Sequence, residues 1–374
     1  MVWHQSRRFR RKSVGSSMFS IPGYPMMDKY AWHEPQWRVV RERMHLLPQA
    51  MLIVANRGTG KLGFASRLAG HLLCEADAQL RPCQDCKSCS MKDSGHHPDL
   101  HLLTTEAANE TAVSFLGDHV QRYCADDRPK KGTKSKPSSI INVEQVRSVS
   151  RALQMTSARG GNRVCLVTPA DALNINAANA LLKILEEPFP GTYFILLTSQ
   201  LHTLPPTVRS RCSVLNLQNP SLADSTSWLE NGGEIDSNLA RSLLTCGFGP
   251  LEVQQMFNSG SPDKLASFAT ELADVVGRGE ASDLIASRLV EIGPRLGLRL
   301  IQQQLVRGLR ISVGCEEPND RLARVLRIGL GRDGCHRLYT KIGRYLHWPR
   351  GAVDERLFLE DIAWRLARSG AEGD

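Results

Sequence analysis

The chain has 374 residues, a net charge of +9 and a hydrophobic fraction of 41%, values that suit a globular protein of about two or three domains. It contains no apolar run long enough for a transmembrane helix, so we expect no membrane partner. Residues 1–27 hold five basic side chains and no acidic one, and the mildly basic remainder is compatible with an acidic partner such as DNA without requiring it.

Residues 1–28 are predicted to be a disordered basic extension. No apolar segment follows their arginines, which argues against a secretory signal. A transit peptide, a flexible tail and a start codon assigned too far upstream all fit this composition. Four of the ten cysteines cluster with metal-ligand spacing, so we expect a reducing, cytoplasmic environment rather than a disulfide framework.

The stretch Met51–Leu62, MLIVANRGTGKL, predicts a short strand, a glycine-bearing turn and the start of a helix. This is the outline of a P-loop, in which backbone N–H groups and a lysine hold phosphates. The residues that fit are Gly58, Gly60 and Lys61. The full pattern requires Gly where the chain has Ala55, and Ser or Thr where it has Leu62. Leucine has no oxygen for Mg²⁺, so the loop can hold a phosphate but lacks the usual metal ligand.

A cysteine-rich segment follows the helix predicted at 64–73. Its thiols are those of Cys74, Cys83, Cys86 and Cys89, in the pattern C-x₈-C-x₂-C-x₂-C. Four thiolates so close in sequence can close a tetrahedral structural Zn²⁺ site, which leaves no open position for catalysis. His96 and His97 are alternative fourth ligands, and an iron–sulfur cluster is a weaker alternative.

Alternating strands and helices continue to residue 197 and predict a parallel sheet covered by helices on both faces. Asn142 and Gln145 form a capping box at the start of one helix. The polar segment 107–139, with its basic, Pro- and Ser-containing part, is predicted to be a mobile insertion. The predicted elements are a helix at 37–44, strands at 51–54, 99–103, 164–167 and 193–197, and helices at 64–73, 142–153 and 174–185.

The third predicted strand is where an ATPase carries its metal-binding Asp and catalytic Glu. Here Thr168 and Pro169 occupy those two positions. A neutral threonine is a poor substitute for a Mg²⁺ carboxylate, and proline cannot polarise a water molecule. Together with Leu62, three catalytic parts are missing from segments that converge on one site, which indicates that hydrolysis has been lost.

An arginine lies beyond the last predicted strand, in the sequence Ser210-Arg211-Cys212. From there Arg211 could reach the nucleotide of a neighbouring subunit as an arginine finger. A solvated arginine is the plainer interpretation, and Arg209 is close enough to make the assignment ambiguous.

No strand pattern is present after about residue 220. Core-facing apolar stripes predict helices at 265–276, 283–289, 298–309, 322–330 and 356–366. A region of this length can pack on itself or form an oligomerisation layer, and periodicity does not separate the two.

The order of these motifs resembles the delta-prime branch of the clamp-loader family of bacterial DNA polymerase III. The resemblance covers residues 30–217 and rests on the degenerate P-loop, the four cysteines and the motifs GHHPD, INVEQVR, NAANALLKILEEP and TVRSRC. Motor subunits of that family keep the intact P-loop and an Asp-Glu pair. The departures at Ala55, Leu62, Thr168 and Pro169 therefore place the chain with delta-prime rather than with the motors.

The resemblance implies an AAA+ module at 29–218 with a zinc-binding segment at 74–89, a helical lid at 219–263 and an all-α collar at 264–374. It also implies that Arg211 acts in trans on ATP of a motor subunit and that the four cysteines bind zinc. The implied role is a non-hydrolysing stator in a hetero-pentamer with motor (gamma/tau) and delta subunits, which loads the sliding clamp onto primed DNA.

Two rival functions remain open from sequence. The first is an active ATPase motor subunit, since Gly58, Gly60 and Lys61 could still bind nucleotide. The second is a zinc-dependent nucleic-acid-binding protein without a loader role, which would bind DNA in a salt-sensitive manner and lose it on chelation.

Overall fold

In a computed structural model, the chain folds into a parallel α/β unit followed by a series of helices. The described residues are 30–106, 116, 119, 122–123, 138–232, 235–245, 247–258, 262–278, 282–315, 320–347 and 354–371. The predicted extension at 1–28 lies outside these ranges, as does most of the predicted insertion at 107–139.

The sheet has five parallel strands in the order β2-β3-β4-β1-β5. They are β1 Ala50–Val54, β2 Leu100–Thr104, β3 Arg163–Thr168, β4 Thr192–Thr198 and β5 Ser213–Asn216. The first four confirm the predicted strands, whose continuous apolar runs suit strands buried on both faces. The fifth was missed, because SVLN is short, only half apolar and largely exposed at the sheet edge.

Helices cover both faces of this sheet. They are α1 Glu34–Glu42, α2 Lys61–Leu73, α3 Lys87–Asp93, α4 Val143–Gln154, α5 Ile175–Glu186 and α6 Pro206–Arg209. The capping box is confirmed at the start of α4: Asn142 Oδ1 accepts from the Gln145 backbone, and Gln145 Oε1 accepts from the Asn142 backbone, both at 2.9 Å. The apolar side chains of α2 pack on one face of the sheet and those of α4 and α5 on the other.

Beyond β5 the described chain is helical. The helices are α7 Leu222–Asn231, α8 Ser237–Thr245, α9 Pro250–Asn258, α10 Pro262–Arg278, α11 Ser282–Ile292, α12 Pro294–Ser312, α13 Arg321–His347 and α14 Glu355–Ala371. All five predicted helices are confirmed, although α13 continues past a break at Gly331, where φ is 62°. These helices share one apolar core. None of the described helices is long and apolar enough to cross a membrane.

Candidate functional site

The P-loop segment joins β1 to α2 at the carboxyl edge of the sheet. Strand β1 lies between β4 and β5, so the residues that follow β1 and β4 meet at this edge. Such an edge, where the strand order reverses, is the usual ligand-binding position of an open parallel sheet. Lys61 opens α2, and its Nζ donates to Ser199 Oγ at 2.8 Å, just beyond β4.

The Lys61 amine is surrounded by oxygens of its own chain. Besides Ser199, it lies 3.3 Å from the carbonyl oxygen of Asn56 and 3.5 Å from that of Ala55. Burial, followed by the positive charge of Arg57, lowers the pKa of Lys61 to about 8. In a nucleotide-binding loop, phosphate oxygens would contact this amine. Here oxygen atoms of the protein itself occupy those positions.

Aromatic side chains cover one side of the loop. The Trp32 indole donates to the carbonyl oxygen of Thr59 at 2.9 Å, and the Tyr30 ring stacks on Trp32 with the centroids 5.3 Å apart. Trp228, from α7, meets the Trp32 ring edge-on at 5.8 Å. A Cβ placed on Gly60 would lie 2.7 Å from the Tyr30 ring, so this aromatic cover touches the loop backbone itself.

The start of α9 packs against the other side of the loop. The Leu251 N–H donates to the carbonyl oxygen of Gly58 at 3.0 Å. A Cβ on Gly249 would lie 2.3 Å from the carbonyl oxygen of Arg57. Any larger residue at this position would therefore force the two backbones apart. A Cβ on Gly58, where φ is 69°, would lie 2.7 Å from Cγ of Glu252. The two backbones approach this closely because glycine occupies both positions.

Glu252 also links this contact to the later helices. Its carboxylate accepts from both terminal nitrogens of Arg299 on α12, at 2.5 and 3.1 Å, and from the Gly249 N–H at 3.2 Å. Burial alone would raise the pKa of Glu252, but the hydrogen bond and charge of Arg299 outweigh it and the pKa is lowered. Glu252 is therefore ionised and paired with Arg299 beside the loop.

The positions where catalytic groups were predicted to be missing supply no replacement. Ala55 is buried and its N–H donates to the Thr198 carbonyl oxygen at 3.2 Å, while Leu62 packs on the apolar core. Thr168 ends β3, and the nearby Asp171 accepts a hydrogen bond from the Thr198 hydroxyl at 2.7 Å.

The four cysteine sulfurs lie within 4.8 Å of one another. Three Sγ–Sγ distances are 3.5, 3.9 and 4.0 Å, close to the separation of about 3.8 Å expected for sulfurs bound tetrahedrally to Zn²⁺ at about 2.3 Å. The N–H groups of Cys86 and Cys89 donate to cysteine sulfurs, as they would to thiolate ligands. The donor set and its geometry fit a metal ion.

Neither alternative histidine belongs to this group. Nδ1 of His97 accepts from the Asp99 N–H at 3.1 Å, so its other nitrogen carries the proton and donates to Ser88 Oγ at 2.6 Å. His96 Nδ1 lies 2.6 Å from the carbonyl oxygen of Ser94. Among the described residues the metal-binding group consists of the cysteines alone.

Arg211 lies two residues beyond α6 and is about one-third exposed. Its Nε donates to Glu186 Oε1 at 2.5 Å and its Nη1 to the Thr207 carbonyl oxygen at 2.9 Å. Arg209 is less exposed, and its buried Nε has no partner in the described part of the chain. Of the two arginines, Arg211 is the more exposed.

Sequence reasoning did not identify the residues that cover the loop. Tyr30 and Trp32 precede it by about one helix, and the aromatic-rich segment at 30–37 was a usable signal. Trp228 and Glu252 come from helices far along the chain, and nothing in their local sequence indicates this contact.

Known proteins similar in sequence to the chain are named as subunits of DNA polymerase III. The sequence profile of a family described as "DNA polymerase III, delta subunit" matches residues 39–221. The DNA polymerase III subunit delta' of Escherichia coli is 30% identical over 72% of this chain and 72% of its own length. The chain belongs to the DNA polymerase III delta-prime family. Its Pseudomonas aeruginosa and Haemophilus influenzae relatives of the same name are 32% and 29% identical, over 64% and 65% of this chain.

The chain spans 65% and 66% of the length of those two delta-prime relatives, just under two-thirds. Among solved structures, a gamma subunit-related protein of DNA polymerase III from Thermotoga maritima is 15% identical over 91% of this chain and all of its own, with a TM-score of 0.35. The Bacillus subtilis clamp loader delta protein is 13% identical over 90% of this chain and 99% of its own, with a TM-score of 0.32. TM-scores this low support no inference.

Proposed function

We propose that the chain is a non-hydrolysing stator subunit of the clamp loader of DNA polymerase III. Its partners would be motor (gamma/tau) and delta subunits in a hetero-pentamer in the bacterial cytoplasm, which loads the sliding clamp onto primed DNA. Membership of the delta-prime family supports this assignment.

The observation that carries the proposal is the closed P-loop. Aromatic side chains contact one side of it, the start of α9 contacts the other, and Lys61 is bonded to protein oxygens. No residue at positions 55, 62, 168 or 169 supplies a metal ligand of the kind that phosphoryl transfer needs. The loop then acts as scaffold, and Gly58, Gly60 and Lys61 hold the structure rather than a nucleotide.

We base the proposed domain division on the family resemblance. We propose an AAA+ module at 29–218, a lid at 219–263 and a collar at 264–374. With these bounds, helices α7, α8 and α9 belong to the lid. Glu252 would then fasten the lid to the P-loop and, through Arg299, to the collar. A subunit joined in this way would move little as its neighbours turn over ATP, which is what a stator requires.

Roles for Arg211 and for the four-cysteine cluster are also proposed from the family resemblance. Arg211 is proposed to act in trans as an arginine finger on ATP bound by the adjacent motor subunit, supported by its partly exposed side chain. Zn²⁺ is proposed as a structural ion at Cys74, Cys83, Cys86 and Cys89, supported by the sulfur separations. In a closed four-sulfur site the ion would stabilise the fold and take no part in chemistry.

The test compares the purified chain with a reconstituted loader. We expect no turnover of Mg-ATP by the chain alone, and formation of a loader with active ATPase when it is mixed with motor and delta subunits. Turnover by the chain alone, abolished in Lys61→Ala, would instead identify a motor subunit. The nucleic-acid-binding alternative predicts a different result: the chain alone would bind DNA in a salt-sensitive manner. This binding would be lost on chelation and would not change when loader subunits are added.

A further inference from the structure

The proposed arginine finger is held by a carboxylate of its own subunit. Glu186 is the last residue of α5, and its Oε1 accepts from both Nε and Nη2 of Arg211. Glu186 precedes Arg211 by 25 residues, so the contact is a tertiary one between the end of α5 and the segment that follows α6.

The groups on both sides of this ion pair are anchored in the core. Leu181 and Leu185 of α5 are buried, and so are Val208 and Cys212, which flank the arginine. A carboxylate fixed on a packed helix restricts the rotamers of a long side chain that would otherwise move freely in solvent. The ion pair therefore restricts the directions in which the guanidinium can point.

The contacts engage all three nitrogens of the guanidinium but leave one N–H unused. Glu186 takes Nε and Nη2, the Thr207 carbonyl oxygen accepts from Nη1 at 2.9 Å, and Ser210 Oγ lies 3.4 Å from Nη1. An arginine has five N–H donors, so these contacts leave an Nη2 donor for an outside acceptor. The Glu186 carboxylate steadies the side chain at Nε and at one N–H of Nη2, and the second Nη2 N–H stays available, an arrangement suited to a supporting residue.

We propose that Glu186 is the positioning residue of the Arg211 finger: it holds the guanidinium so that the remaining Nη2 donor faces the phosphates of ATP on the neighbouring subunit. This inference rests on the proposed function. Arg211 supplies the contact with phosphate, and Glu186 acts only through Arg211. Since a finger stabilises the transition state, loss of its support slows the hydrolysis step rather than weakening ATP binding.

The experiment uses the reconstituted loader with clamp, primed DNA and Mg-ATP, followed by single-turnover kinetics. Arg211→Ala is expected to remove one phase of hydrolysis. Glu186→Gln is expected to slow the same phase about tenfold with the ATP concentration for half-maximal rate unchanged, since small misplacements of a catalytic group are costly. Glu186→Asp keeps the charge and should restore part of the rate.

Glu187→Gln is the matched control, because this neighbouring glutamate is exposed and forms no ion pair with any residue that the structure describes. It should behave as wild type. Both glutamine variants should assemble and unfold thermally as wild type does, and Glu186→Gln should have no further effect in an Arg211→Ala background.

The outcomes separate the two hypotheses. If Arg211→Ala leaves every phase intact, the finger assignment itself fails, and the positioning role fails with it. If Arg211→Ala removes a phase that Glu186→Gln leaves unchanged, only the positioning role is wrong. A Glu186→Gln effect that persists without Arg211, or appears equally in Glu187→Gln, would also refute it.

Discussion

Lys61 retains the position of a P-loop lysine but has the environment of a structural one. In a nucleotide site its charge would face the β and γ phosphates. Here its nearest partner is the Ser199 hydroxyl, and burial lowers its pKa to about 8. Aromatic side chains also cover one side of the loop. His33 packs among them, against Tyr30 and Trp32, and its ionisation allows a test of how these contacts respond to pH.

His33 lies in this cover with its ring edge-on to Phe64 and no hydrogen-bond partner for either nitrogen among the described residues. Burial lowers its pKa from 6.5 to about 4. The unfolded chain therefore binds the proton first, so stability is fully present above pH 6.5 and is lost as the pH falls towards 4. A phenylalanine has no such dependence.

Urea unfolding at pH 7 and pH 5 should therefore distinguish His33→Phe from wild type. The free energy of unfolding of wild type relative to the variant is expected to fall by about 2 kcal/mol over this interval. His45→Asn, at an exposed histidine, controls for general acid effects and should follow wild type. An unchanged wild-type-to-variant difference would show that His33 is not held neutral in the native protein.

The cysteine segment is an element of a different kind, because it has little apolar core of its own. Cys74 ends α2 and Cys86 caps the first turn of α3, so an ion bound there would tie two helices together. Such a segment would gain its order from a bound metal ion, and we expect removal of the ion to lower the stability of the protein.

We expect about one Zn²⁺ per chain by metal analysis, without the visible absorption of an iron–sulfur cluster. Chelation, or Cys83→Ser, should lower the melting temperature and remove the ion. Cys315→Ser changes an exposed cysteine outside the cluster and should retain it. A chain that binds no metal and melts identically in chelator would contradict the structural role.

Features that depend on neighbouring residues could be predicted from the sequence, whereas contacts between distant segments could not. The cysteine spacing, the Asn142–Gln145 capping box and the apolar runs of β1 to β4 all act within a few residues, and each was predicted. The edge strand β5 was not, since its short, half-exposed segment has no distinctive period. Closure of the P-loop by Trp228 and Glu252 depends on the packing of distant helices, for which no single-sequence pattern exists.

For the molecule as a whole, the important contact is the one that joins the P-loop, α9 and α12. The side chains of Glu252 and Arg299 are 19% and 18% exposed, and the Arg299 guanidinium carbon lies 5.2 Å from the centre of the Phe248 ring. In an AAA+ motor, movement of the lid relative to the nucleotide domain would accompany turnover. If α9 belongs to a lid, as proposed, the shielded ion pair and two closely packed glycines would oppose that movement and so support the stator role.

Replacement of Arg299 by methionine tests this link, since methionine keeps the apolar stem and leaves Glu252 without its main partner. We expect a loss of about 3 kcal/mol in the free energy of unfolding, because one member of a largely buried pair is removed. Amide hydrogen exchange should also rise at residues 57–60 and 249–253, where the two backbones meet.

Arg288→Met provides the matched control, because Arg288 also pairs with glutamates, at 2.8 and 2.9 Å, but on the exposed surface of α11. Its loss of stability should be much smaller, and exchange at the P-loop should not change. If Arg299→Met raised exchange throughout the chain equally, the pair would be a general stabiliser. If it left the P-loop amides unchanged, the loop and the helices that follow it would not be coupled through Glu252, and the rigidity required of a stator would need another source.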